Sequence, residues 1–362
     1  MWINNLGFDN VTSLGCSIGL ARRPGSSWSG KAFLKINGAK KGVCKMLELE
    51  SAVIKAPPFV PASAYSITFV NLNIKKAYDE LYSILFSFSP MYAAMIPSTI
   101  LPPSPDGQAG LELKSDFINH FGSEIIFAQS INKSLSATGT QPPTESLVAL
   151  AVNNRGALEK SISKLHSTIF ASNDPDAARE LLGHTIYLIN PSILPPFLGG
   201  GITPMQTEAG PNIRQMPKLA LTVTDTHLIF ATESIVEQAI RTLSSTEATS
   251  VSSAKWFTSA KLAIPTVVGL ASLEDNVASS EFFWKMLKQG DGTKNAGSNA
   301  SIGLAIGPSP GLVLAQTGLF DASLLPEFDS VRKYFGPISF YGISRPDGGF
   351  FEFNYLNPTG ND

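Results

Sequence analysis

"AYSITFVNLNIKKAYDELYSIL", Ala64–Leu85, changes its hydrophobic period halfway along. Ile67 to Val70 form a short apolar, β-branched run that suits a buried strand. Asn73 follows, a residue whose side chain can accept from the unpaired N–H groups of a helix start. Ile74, Ala77, Tyr78, Leu81 and Leu85 then fall at helical spacing and make one apolar stripe. The same order of strand, capping residue and one-sided helix returns in three further stretches: "SLVALAVNNRGALEKSISKL" (Ser146–Leu165), "HLIFATESIVEQAIRTL" (His227–Leu243) and "TVVGLASLEDNVASSEFFWKML" (Thr266–Leu287). Their candidate caps are Asn154, Thr232 with Ser234, and Ser272 with Asp275. A helix with one apolar face lies on something, and the adjacent strands are available. Leu81, Leu158, Ile162, Val236 and Ile240 are therefore expected to be buried against sheet.

Extending this reading outward gives two series. From Tyr65 the pattern predicts a strand, a helix (residues 74–88), strands at 124–129 and 147–153, a helix at 156–169 and a strand at 185–189. From Thr266 it predicts a strand, a helix at 279–288, strands at 301–306 and 312–318, a helix at 327–335 and a strand at 338–343. Both read β-α-β-β-α-β, the split βαβ arrangement, and they begin roughly 200 residues apart, as a duplication would. Hairpins flank them at Cys16–Gly38 and Ile338–Leu356. The second turns at Pro346-Asp347-Gly348-Gly349, after which Phe351, Phe353 and Tyr355 point one way and Glu352 and Asn354 the other. The expected fold class is α+β: mainly antiparallel sheets with helices on one face, in two related halves at 1–205 and 206–362.

The totals exclude more than they identify. With 362 residues, 43% hydrophobic and 15% charged, the chain buries a sizeable core. A net charge of −2 gives no basic field, which argues against nucleic acid as a partner. The one basic cluster, "GAKKGVCK" (Gly38–Lys45), reads as a solvated turn. No apolar run reaches the ~18 residues that cross a bilayer, and the first residues lack the basic and apolar regions of a signal peptide. Cys16 and Cys44 are too few for a zinc site and read as small apolar side chains, with a single disulfide as the alternative.

None of the candidate catalytic patterns holds together. "GCSIG" (Gly15–Gly19) matches the nucleophile-elbow string around Ser17, but a helix must follow that serine and "LARRPG" reads as strand end and turn. His120, His166, His184 and His227 share no metal-binding spacing. Asp174 and Asp176 bracket a proline at an expected helix start, and Asp291 lacks the remaining ligands of a calcium loop. "LGGGI" (Leu198–Ile202) lacks the spacing of a dinucleotide site. No catalytic, cofactor or metal residue is therefore assigned. The most informative segment is apolar. Ile193, Phe197, Leu198 and Ile202 sit in the Pro- and Gly-rich stretch 190–217, as a plug for the core or as a contact for a partner or ligand.

"VPASAYSITFVNLNIKKAYDEL", "FGSEIIFAQS", "SLVALAVNNRGALEKSISKL", "GHTIYLI", "LALTVTDTHLIFATESIVEQAI" and "RKYFGPISFYGISRPDGGFFEF" together resemble uncharacterised proteins of planctomycete-type bacteria, a family of unknown function. Such proteins usually look exported and carry a signal peptide and a further strand–helix unit. The resemblance therefore implies a periplasmic or exported setting and a chain that is a piece of a longer protein. It implies no reaction and carries over no functional residue. The function expected is that of a non-enzymatic envelope protein with a structural or partner-binding role. Two alternatives stand beside it: a carrier of an apolar small molecule held between sheet and helices, and a serine hydrolase using Ser17 or a histidine.

Overall fold

A computed structural model describes residues 6–20, 25–104, 107, 109–131, 144–170, 177–189, 218–245, 249–288 and 324–358. The chain begins with a hairpin, β1 (Val11–Leu20) and β2 (Ser26–Ile36), then a one-turn helix, α1 (Gly42–Met46), and β3 (Ala52–Val53). Next come β4 (Ala64–Asn71), α2 (Ile74–Phe88), α3 (Pro90–Ala93), β5 (Thr99–Leu101), β6 (Leu111–Glu112) and α4 (Leu113–Asp116). β7 (Phe121–Ile131), β8 (Thr144–Val152), α5 (Arg155–Ile169), β9 (Ala178–Leu181), β10 (His184–Ile189), β11 (Leu219–Val223) and β12 (His227–Thr232) follow. The rest is α6 (Glu233–Ser244), α7 (Lys255–Leu262), β13 (Val267–Val268), β14 (Leu270–Glu274), α8 (Asn276–Lys288), α9 (Phe328–Val331), β15 (Ile338–Arg345) and β16 (Gly348–Leu356).

Twelve of these strands form one sheet in the order β1-β2-β16-β15-β14-β4-β7-β8-β12-β11-β10-β9, and every neighbouring pair is antiparallel. The α+β class with a large antiparallel sheet is thus the architecture of the molecule. Two small two-stranded pairs, β3–β13 and β5–β6, stand beside it.

The alternation of side chains along each strand divides the residues between two faces. On one face Ile67 and Phe69 of β4, Ile126 and Ala128 of β7, Leu147 and Ala149 of β8, Ile229 and Ala231 of β12, and Ala271 and Leu273 of β14 meet in register. These are buried with Ile235, Val236, Ala239 and Ile240 of α6 and Phe257 and Ala260 of α7, which together make the main core. On the opposite face Tyr187 of β10 and Val223 of β11 bury Leu158 and Ile162 of α5. Helices therefore occupy both faces of the sheet, a correction to the expectation of one covered face. The cause is visible in β10, where neighbouring Ile186 and Tyr187 point to opposite sides and each has its own helix to pack on.

The helix starts behave as their sequences predict, with one exception. Asn73 accepts from the Lys76 N–H at 3.0 Å, Asn154 from Ala157 at 3.1 Å, and Asp275 from Val277 and Ala278 at 3.1 and 3.3 Å. Thr232 instead lies 3.1 Å from the Ser234 hydroxyl and does not cap α6. Ser272 is taken up in a cross-strand bond with Thr68 at 2.9 Å.

Leu158, Ile162, Val236 and Ile240 are buried, but Leu81 is 38% exposed. The reason is that α2 lies beside the start of β7 and the turn before it rather than across the sheet, so Ile84 is its one buried residue. Residues 178–181, expected near a helix start, form the strand β9, joined to β10 by a tight turn with Leu182 and Gly183 at φ 50° and 79°. The helix expected at 327–335 is one turn, α9, continued by a 3-10 turn at Arg332–Tyr334. The strands expected at 301–306 and 312–318 lie outside the described residues.

The split βαβ arrangement is not seen among the described residues. It would leave a gap for an intervening strand between the two strands that a helix joins, whereas β4 and β7, joined through α2, are direct antiparallel neighbours. The strand order also interleaves the stretches on either side of residue 205. β11 and β12 lie between β8 and β10, and β14, β15 and β16 lie between β2 and β4.

Candidate functional site

The two edges of the sheet are built differently. β9 at one edge has four residues, and its Arg179 is held by Glu233 at 2.9 Å and by Glu237. A short, charged strand is the usual way of closing an edge to further pairing. β1 at the other edge runs for ten residues, "VTSLGCSIGL", without a charge or a proline. Among the described residues it pairs with β2 alone. Leu14, Ile18 and Leu20 are 65%, 77% and 79% exposed.

These side chains continue a row that is already apolar. Leu14, Ile18 and Leu20 stand opposite Leu34, Gly30 and Trp28 of β2, and those stand opposite Gly349, Phe353 and Tyr355 of β16. Trp28 lies over Phe353 at 4.8 Å and stacks on Tyr355 at 6.0 Å between ring centroids, while Phe351 stacks on Phe340 of β15 at 6.1 Å. Tyr355 is fixed in turn by donating to the Tyr334 carbonyl at 3.0 Å and accepting from Asn276 at 3.1 Å. The aromatic row thus has a rigid inner end and an open outer end at β1. The opposite face of β1 carries only Ser13, Gly15, Ser17 and Gly19 in its central part. A Cβ added at Gly15 would meet nothing within 4 Å, so no contact inside the molecule requires glycine there.

A polar groove of about 240 Å³ lies at the start of β7, lined among others by Asn73, Lys75, Asn119, Ser123 and Asn153. Asn73, Ser123 and Asn153 of its lining are engaged internally. Glu50 accepts from Ser123 at 2.6 Å and from Asn73 at 3.0 Å, bonds that hold its carboxyl below the ordinary range, and Asn153 donates to the Phe121 carbonyl at 3.0 Å.

The histidines do not assemble into a site. His227 places Nε2 3.1 Å from Glu124 and Nδ1 2.9 Å from the Thr226 hydroxyl, and packs on Phe59. Both of its ring nitrogens are therefore occupied. His166 is buried between Phe170 and Tyr187 with Nε2 2.8 Å from the Leu188 carbonyl, which ties α5 to β10. His120 precedes β7 and His184 opens β10.

Ser17 lies on β1 as a hairpin strand, and β7, β12 and β10 are six or more positions away along the sheet. Among the described residues no hydrogen bond links Ser17 to a histidine. Cys16 is exposed and Cys44 half-buried, and both are free thiols, with burial pushing the Cys44 thiol up. The cluster at Gly38–Lys45 is a turn leading into α1, with Lys40 paired to Glu48 at 2.7 Å and Lys45 to Glu80 at 2.6 Å. Ile193, Phe197, Leu198 and Ile202 lie outside the described residues, as do Asp174, Asp176 and Asp291.

Two buried polar clusters complete the inventory. Glu274, at the end of β14, accepts from Ser279 at 2.6 Å, and burial pushes its carboxyl up. Tyr341 donates to buried Glu352 at 2.7 Å, and Lys31 reaches the same carboxylate at 3.7 Å. Beside that pair, Ser339 and Asn354 face each other in register, and neither side chain makes a hydrogen bond. Among the described residues no group of three or more His, Cys, Asp or Glu is placed to hold a metal ion, and no helix is long and apolar enough to cross a membrane.

Comparisons with protein-family models, with curated proteins and with solved structures find no match to this chain. The exposed β1 edge was missed in the sequence because alternation marks a strand without saying whether its outer side is covered. The available signal was the ten-residue run without Lys, Glu or Pro.

Proposed function

We propose that this chain is a non-enzymatic binding protein that takes up a partner through the β1 edge of its sheet. The observation that carries the reading is the pairing of an open backbone ladder with an exposed apolar row, Leu14, Ile18 and Leu20, on a strand that has no device against further pairing. An extended segment added there would gain main-chain hydrogen bonds from the ladder and side-chain contacts from alternate residues. The row continues inward to Trp28 and Phe353, so the contact surface is wider than the strand itself. A setting in the bacterial envelope rests on the resemblance noted in the sequence and on no feature of the fold.

The reading is tested by purifying tagged wild type and tagged Ile18→Lys from the source cell and identifying what co-purifies, untagged copies of the same chain included. Ile18 is 77% exposed, so the substitution leaves the fold intact. At least one species should be retained by wild type and lost from Ile18→Lys. Identical sets from both would remove β1 as the binding edge.

A further inference from the structure

We infer that the occupant of the β1 edge is a second copy of the chain, paired β1 to β1 across a two-fold axis at Cys16. This deepens the binding-edge reading above and rests on it.

The inference follows from the sequence of the edge itself. In an antiparallel pair centred on Cys16, Leu14 stands opposite Ile18 of the other copy, Gly15 opposite Ser17, and Ser13 opposite Gly19. Large apolar residues meet on one face and small ones on the other, so the strand is complementary to itself, which a two-fold interface requires. No charge lies on either strand, so the paired strands themselves carry no like-charge repulsion. Gly15, which no internal contact demands, keeps its face of the seam free of a side chain for the second strand.

Closure favours the same partner. A β1–β1 pair covers both β1 edges at once and, among the described strands of the sheet, leaves the two β9 edges outward, each short and bearing Arg179. Assembly therefore stops at two copies instead of running on into a fibre. With the axis at Cys16, Thr12 faces Leu20 and nine residues overlap, which at ~3.4 Å per residue gives a seam of about 31 Å. The area covered is on the order of 1,000 Å² in total, at the lower limit for a specific interface. The dimer should accordingly be reversible with concentration.

Sedimentation velocity of the full chain from low to high micromolar concentration tests this. The wild type should pass from monomer to dimer, and Ile18→Lys should move that midpoint upward by about tenfold or more with an unchanged circular dichroism spectrum. Mild oxidation with copper-phenanthroline reads the register. Opposed Cα atoms at ~5 Å lie within disulfide reach, so Cys44→Ser should yield a covalent dimer through Cys16 and Cys16→Ser should not. A monomer at all concentrations overturns self-pairing. The binding-edge reading then survives only if Ile18→Lys loses a different protein on co-purification. A dimer that persists in Ile18→Lys, or one that fails to cross-link through Cys16, places the contact elsewhere and overturns the inference.

Discussion

Glu274 sits at the end of β14 with Ser279 donating to it, and burial holds its carboxyl above the ordinary value. Asp275 beside it is raised as well, chiefly by burial. A carboxyl raised on folding adds nothing unfavourable while it is protonated in both states. It costs stability once the pH passes the unfolded value, because the folded state must then either keep the proton or bury the charge. Glu274→Gln keeps an oxygen for the Ser279 hydroxyl and removes the charge. Its melting temperature should match the wild type near pH 4 and exceed it by a margin that widens as the pH rises above the unfolded carboxyl value and levels off above the folded one. A margin that shrank as pH rose would contradict this account. Ser339 offers a second case at the same scale. Its buried hydroxyl makes no hydrogen bond, and such a group costs about 1–3 kcal/mol. Ser339→Ala should therefore raise stability by up to ~1 kcal/mol in denaturant titration. Neither position was legible in the sequence, where Glu274 and Ser339 look like any polar residues of an alternating strand.

At the level of elements, the four strand–cap–helix units were legible because two periods and a capping residue coincide in a few positions. Where each helix would lie was not, since an apolar stripe states only that a helix has a partner. Ile162 of α5 and Leu81 of α2 have the same place in their stripes. Ile162 is buried under β10 and β11, and Leu81 is 38% exposed. Ile162→Ala should accordingly cost ~2–5 kcal/mol, while Leu81→Ala should stay within ~0.5 kcal/mol. Equal losses in a thermal melt would mean that α2 packs on the sheet after all. Asn154→Ala, which removes the cap of α5, should cost about 1 kcal/mol. β9 was misread for a related reason. "AREL" has the composition of a helix, and only pairing with His184 to Tyr187 makes it a strand.

Over the whole molecule, strands from the two ends of the chain share one sheet. Among the described strands the N-terminal hairpin pairs with the rest of the sheet through β16, and the four-strand group at the far edge mixes β9 and β10 with β11 and β12. A chain cut at residue 205 should therefore give two pieces that lack cooperative melts alone and regain one when produced together. A sharp transition from either piece alone would show that a half is a folding unit. Such an order has no trace in hydrophobic pattern, because every partner strand alternates in the same way whichever neighbour it takes.

The contact between Ser26 and Tyr355, where the Ser26 hydroxyl donates to a carbonyl 329 residues later, also sets a schedule for biosynthesis. At ~5–20 residues per second a ribosome takes roughly 16–66 s to deliver β16 after β2 has emerged. Throughout that interval the first hairpin has left the exit tunnel with Trp28, Phe33 and Leu34 uncovered and no strand to receive them. The nascent chain should thus be a long-lived client of whatever holds unfolded segments apart in its cell, and the residues of β16 are the ones that release it.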